Sequence, residues 1–417
     1  MTDAPEFNGV PKLAESLRRV WLEYDLGEEA EGVLAEGLRN LANDTHSGAR
    51  QMAGFALWVL RGVVIAYDEP GLGLRDGCAP EKWWRDIRFA AWHLWKNGRE
   101  SMGAAILAAL LGTLGEMESD VSRLQGLSRS GSEISTEEFR KEILAIIDSR
   151  LAERQATADR ITSSLLRYIA STFPSGPSPP SSPLTILTLS ESSTIAHALS
   201  HLGQTTNRRV DIRILESRPL FEGVSLASSL AKSFSKGNPN NKEDHKNAHK
   251  ITLFTDASVA LASAGVNLLL LGADRIASSG AASNKTGSLP AVLSVKHVTA
   301  GRAKVVVLGD TEKIALPGPP EAHVVEDNDP VQVSSAWEAD CNSDRVRDGA
   351  EALDILQRTK ASAASSTKVS VSNIFFEWVP PSLIDAYITE LGEQTVEDIA
   401  RHSEKLAEEE RRIFGDL

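Results

Sequence analysis

The chain has 417 residues and a formal net charge of −13, with 57 acidic against 44 basic side chains. That length allows two or three domains, and that charge excludes sequence-independent wrapping of nucleic acid, so no direct nucleic-acid binding is expected. Two cysteines, Cys78 and Cys341, exclude a disulfide framework or a cysteine zinc site and fit a reducing, cytoplasmic setting.

No run approaches the roughly 20 uninterrupted apolar residues of a membrane span. The opening MTDAPEFNGVPK carries neither the basic cluster nor the apolar region of a secretion signal. Residues 1–172 read as a helical N-terminal domain. Apolar side chains recur at helical spacing from Val20 to Ala42, and Ala49 to Ala66 forms a broader apolar face. Tyr67 to Pro80 breaks the pattern; its GLGLRDG lacks the glycine placement and the preceding strand of a dinucleotide fingerprint. Glu81 to Gly98 holds Trp83, Trp84, Trp92 and Trp95, which are predicted to pack between helices or against a partner subunit. A small-residue helix follows from Arg99 to Leu114. The S-x-x-E at Ser135 to Glu138 then caps a long helix reaching about Ala170.

Phe173 to Pro183, FPSGPSPPSSP, has five prolines in eleven residues and reads as a stiff linker. Beyond it, residues 184–417 alternate strands and helices. Strands are expected at Leu184–Leu189, Val210–Leu215, Ile251–Phe254, Val266–Leu271, Lys304–Leu308 and Val369–Phe375. Helices are expected at Thr194–Leu202, Ser225–Phe234, Ala257–Ala264 and Thr286–His297. The fold class is therefore α+α/β: a helical domain followed by a Rossmann-like, doubly wound, mostly parallel sheet, with ligands at the carboxyl ends of its strands. A polar insertion, 235–250, and an Ala/Ser-rich stretch, 361–368, interrupt it. His245 and His249 share the four-residue spacing of a helix face but lack its apolar and carboxylate context, so no metal is expected there.

The richest chemistry lies in VNLLLLGADRIASSGAASNKTGSL, Val266 to Leu289. A buried strand ends at Gly272-Ala273 and leaves Asp274 at its carboxyl end. After a small-residue turn, Asn284-Lys285 is expected to open a helix. Its N-terminal amides and the Lys285 charge would hold an anion. Asp274 has three readings: a cap or ion-pair partner of Arg275 or Lys285, a ligand-contacting carboxylate, or an acid/base. Asp256 ends another strand, where it faces the same cleft or caps the helix at Ala257.

GADRI with Asn284-Lys285, together with ILTLSESST (186–194), ESRPLFEG (216–223) and FEWVPPSLIDAYITELG (376–392), resembles one superfamily. One branch holds the alpha, beta and delta subunits of eukaryotic translation initiation factor 2B. The other holds methylthioribose-1-phosphate and ribose-1,5-bisphosphate isomerases. The isomerase branch implies a cysteine at the first strand end and an aspartate at GADRI. Asp274 matches the aspartate, but Ser190 replaces the cysteine. A thiol titrates near pH 8.5, about a unit and a half from neutrality, whereas a hydroxyl needs a base of its own. Ser190 has Glu191 beside it and no histidine, so it reads as a cap for the helix near Ser192 or as a nucleophile without a relay. Glu222 stands where those isomerases favour glutamine and would repel a phosphate unless protonated or paired with Arg218. Ser47-Gly48-Ala49 corresponds to the isomerase RGAP segment without its arginine, and Arg99 corresponds to the arginine of its RPT segment.

The resemblance implies a non-catalytic initiation factor 2B subunit-like protein, assembling as a homo- or hetero-oligomer with related subunits to regulate guanine-nucleotide exchange in translation initiation. Asn284, Lys285, Arg99, Arg218 and Glu222 would line a retained sugar-phosphate or nucleotide pocket, and no cofactor is expected. The alternative is an aldose–ketose isomerase with Asp274 as its acid/base.

Overall fold

The apolar spacing at the front of the chain closes, among the described residues, into a bundle of five helices, α1 (Glu28–Asn43), α2 (Ala49–Ala66), α3 (Ala79–Lys96), α4 (Gly103–Arg129) and α5 (Thr136–Thr172). The computed structural model describes residues 26–44, 47–67, 79–129, 136–174, 183–206, 208–235, 249–320, 326–338 and 371–417. The heart of the predicted linker, the GLGLRDG turn, Ser135, most of the polar insertion with His245, the Ala/Ser-rich stretch and both cysteines lie outside them.

Helix α2 organises the bundle. It buries Met52, Ala56, Leu57, Leu60 and Val63 and packs on α1, α4 and α5. Each fully buried leucine contributes about 1.5–3 kcal/mol of transfer free energy. Length and hydropathy alone would let α2 cross a membrane, but half of that apolar window is buried inside this bundle. The tryptophan cluster behaves as expected: Trp83 is buried edge-on to Phe139, and Trp95 stacks on Phe414.

Packing runs across the predicted linker in both directions. The first half of α5 enters the helical core through Phe139, Ile143 and Ile147, while Ile161, Leu165 and Ile169 of its second half pack on the sheet. The last helix, α11 (Val396–Phe414), returns Leu406, Ile413 and Phe414 to the helical core.

Most of the sheet forms where the sequence has short, predominantly apolar runs. Its strands are β1 (Leu184–Leu189), β2 (Val210–Leu215), β3 (Lys250–Phe254), β4 (Leu268–Leu271), β7 (Lys304–Leu308), β9 (Ala386–Thr389) and β10 (Gly392–Gln394), in the order β10-β9-β7-β4-β1-β2-β3. All pairs are parallel except β9 with β10. Helices α6 (Ser193–Thr205), α7 (Glu222–Ser235), α8 (Val259–Ala262) and α9 (Ser288–Val298) connect the early strands. The chain winds from β1 toward β3 on one side and from β4 toward β10 on the other. The switch point between β1 and β4 is where an open α/β sheet leaves a crevice.

Two expectations are corrected. Asn284-Lys285 does not start a helix: it ends β6 (Ala282–Lys285), and α9 begins at Ser288 behind Gly287, whose φ of 107° suits glycine. The predicted strand at 369–375 gives way to β8 (Phe376–Val379), which pairs antiparallel with β6 in a small second sheet, β5-β6-β8, where β5 is Arg275–Ile276. Both departures have one cause. Ala282–Lys285 alternates buried and half-buried side chains, and its pairing partner is far along the chain.

Candidate functional site

The cleft lies over the carboxyl ends of β1 and β4. Ser190 leaves β1 with a φ of 62°, a left-handed conformation that a non-glycine residue adopts only when neighbours hold it. The Ser217 hydroxyl holds it by accepting the Ser190 amide at 2.7 Å. Ser217 is fixed in turn by Asp256, whose carboxylate accepts the amides of Ser217 (2.9 Å) and Arg218 (2.8 Å). Asp256 therefore clamps the loop after β2, and capping a helix at Ala257 is not its role.

Ser190 does not cap α6 either. That cap is Ser192, which accepts the amide of Ile195 at 3.4 Å. The Ser190 hydroxyl donates instead to Glu222 at 3.1 Å, and Lys285 Nζ sits 2.9 Å from the other Glu222 oxygen. Glu222 is the first residue of α7, where a helix N-terminus favours a carboxylate. Gly223 brings it there: a Cβ at this position would lie 1.9 Å from the Leu215 carbonyl oxygen. Lys285 also lies over the Phe375 ring, 4.2 Å from its centroid.

The expected anion cradle is thus filled from within. Glu222 takes the lysine. The α9 N-terminus is taken by Glu377 of β8, whose carboxylate accepts the amides of Gly287 (2.6 Å) and Leu289 (3.0 Å). Asn284 is buried and donates to Ser288 at 2.8 Å. Its side chain thus braces the turn into α9.

Asp274 is half-buried just beyond β4 and forms none of the ion pairs found among the described residues. Its neighbour Arg275 turns away to the Glu100 carbonyl. Desolvation pushes the Asp274 carboxyl above the ordinary aspartate range; Lys313, Lys285, the Ala49 amide and Arg99 act the other way. The Ala49 contact places Ser47-Gly48-Ala49 at this cleft. Arg99 is buried, donating to the Asp44 carbonyl at 2.7 Å and pairing with Glu326. Arg218 is not part of the cleft: its exposed side chain pairs with Glu216, not with Glu222. Lys313, which follows β7, is buried and faces Asp274. The sequence gives no warning of it, because a lysine in TEKIA reads as a solvated turn. Burial also raises the pKa of Glu191, aided by the Glu222 charge.

Chemically, the cleft offers carboxylates and amines for proton transfer. Among the described residues, neither Ser190 nor Asp274 is hydrogen-bonded to an imidazole. His249 serves the fold, linking the Val210 amide (3.2 Å) to the Gly203 carbonyl (2.8 Å).

A helical bundle set against a mostly parallel sheet is the α+α/β scaffold shared by initiation factor 2B subunits and 5-methylthioribose 1-phosphate isomerase. The chain belongs to the Initiation factor 2 subunit family, which residues 113–395 match. The structure is similar to eIF2B beta from Chaetomium thermophilum, with a TM-score of 0.57 at 16% identity, covering 95% of this chain and 96% of that one. It is also similar to 5-methylthioribose 1-phosphate isomerase from Pyrococcus horikoshii OT3, with a TM-score of 0.55 at 16% identity, covering 90% of this chain and 87% of that one. A chain of the tetrameric eIF2B-beta2-delta2 complex from C. thermophilum matches at a TM-score of 0.55 and 15% identity, covering 95% of this chain and 100% of that one. These likenesses establish the fold. No curated protein matches the chain.

Proposed function

We propose that the chain is a non-catalytic subunit of initiation factor 2B type, working in the cytosol through assembly with related subunits to regulate translation initiation. The observation that carries this reading is the Ser190–Glu222–Lys285 chain of contacts. Ser190, which the resemblance sets at the isomerase thiol, carries a hydroxyl spent on a carboxylate that also pairs with Lys285. A phosphosugar or nucleotide entering the cleft would have to displace Glu222, and its phosphate would meet two carboxylates, Glu222 and Glu377. Assembly is supported by helices α8 and α9, which pack together and expose Leu261 (73%) and Leu293 (52%). Affinity purification of the full chain with mass spectrometry tests the reading. Recovery of related initiation factor 2B subunits is expected; recovery of none, at a level that detects a known subunit pair, refutes it.

The isomerase reading keeps one observation in its favour. Asp274 is a desolvated acid whose raised pKa suits a general acid, and Lys313 faces it. Turnover of methylthioribose-1-phosphate or ribose-1,5-bisphosphate, lost in Asp274→Asn, would establish it.

A further inference from the structure

A second cleft lies toward the other edge of the sheet, at the carboxyl ends of β7 and β9. It encloses about 350 Å³, within the range of small-molecule pockets, and is walled by α2, α4, α5 and α11. Its floor is acidic. Asp310 is 2% exposed, and both of its carboxylate oxygens are buried without a hydrogen-bond partner. Beside it, Glu390 accepts the Thr311 amide at 3.2 Å, and Glu312 is held by Arg154. Farther out, Arg160 and Lys405 are exposed, and Glu153 and Glu409 also line the cavity.

A carboxyl group out of water with no hydrogen-bond partner is costly, and a fold retains one chiefly where a ligand supplies the missing partners. A metal ion is a poor fit: among the described residues no group of three His, Cys, Asp or Glu side chains is arranged to hold one. The neighbouring acids are desolvated as well. Desolvation raises Glu312 to about 7 against the pull of Arg154, and it raises Glu390 as well.

We infer that this cavity binds a small zwitterion of amino-acid size, whose ammonium or guanidinium group donates to Asp310 while its carboxylate reaches Arg160 and Lys405. Asp310, the one acid of the floor without a partner among the described residues, sets the orientation: positive end down to its carboxyl, carboxylate out toward Arg160 and Lys405. Because the walls come from both the helical bundle and the sheet, the bound molecule bridges the two halves of the protein.

Isothermal titration of the full chain with L-arginine, L-lysine and agmatine tests the inference. At least one of the two amino acids binds saturably. Agmatine, which lacks the carboxylate, binds more weakly than arginine. Asp310→Asn weakens binding by about tenfold or more, the scale of a charge-assisted hydrogen bond. The rim variant Arg160→Gln/Lys405→Gln weakens amino-acid binding and leaves agmatine unchanged; it decides the matter if Asp310→Asn fails to fold. No saturable binding by any probe at millimolar concentration, or binding that ignores these substitutions, overturns the inference.

Discussion

Two clefts open at the carboxyl ends of one sheet's strands and treat their charges in opposite ways. Over β1 and β4, Glu222 meets Lys285 and Ser190, and Glu377 meets the start of α9, so most polar groups there are mutually satisfied. Over β7 and β9, Asp310 is left with nothing to accept from. The cleft that holds Asp274 and Lys285 is therefore the self-contained one, and the neighbouring cleft is the unsatisfied one. A crevice at strand ends is a place for chemistry, but its side chains decide whether it waits for a ligand or closes on itself.

The contrast can be broken most severely at Gly223. Gly223→Ala drives a methyl into the Leu215 carbonyl and displaces Glu222; we expect a loss of about 3 kcal/mol in urea denaturation. Lys285→Met should cost about 2 kcal/mol, because it leaves the mostly buried Glu222 with only the Ser190 hydroxyl. Adding Glu222→Gln to Lys285→Met should recover part of that loss in a double-mutant cycle. Glu222→Gln alone makes the first cleft resemble the second by freeing a charge. Inorganic phosphate should then bind on the order of tenfold more tightly than to the parent chain, measured by titration calorimetry.

The smallest effects are on pH dependence. Glu312 titrates from an ordinary 4.5 up to about 7 in the folded protein, and Asp274 is also raised above its ordinary 3.8. The folded state holds these protons more tightly than the unfolded chain. The stability contribution is complete below the unfolded values and is lost as pH rises through the folded ones. Unfolding free energy should accordingly fall between about pH 4.5 and pH 7. Glu312→Gln and Asp274→Asn should each flatten part of that slope, read by denaturation at a series of pH values.

Much of this architecture was legible in local pattern. The runs at 184–189 and 304–308 are strands because mostly apolar residues of that length suit a sheet buried on both faces, and 210–215 shows itself by alternating Val210, Ile212 and Ile214 with Asp211 and Arg213. Local pattern fails where partners are distant. Asn284-Lys285 follows a small-residue turn and precedes a true helix, yet β8 draws it into a sheet from far along the chain. Ala386–Thr389, behind two prolines, shows too little of itself to be read as a parallel strand beside β7. At the site, Ser190, Glu222, Asp274 and Lys285 are each visible as residues of interest. That Glu222 would choose Lys285 rather than Arg218 depends on the turn into α7, which no spacing rule encodes. Glu377, Lys313 and Asp310 carried no local signal beyond a charge in an apolar neighbourhood.

The most direct test of the central claim is an aldose–ketose assay of the purified chain on methylthioribose-1-phosphate and ribose-1,5-bisphosphate, run beside Asp274→Asn. With its serine and lysine both engaged by Glu222, the chain should give no turnover above buffer, indistinguishable from the variant. Turnover that the asparagine abolishes would contradict that claim and make the chain an isomerase working without the thiol.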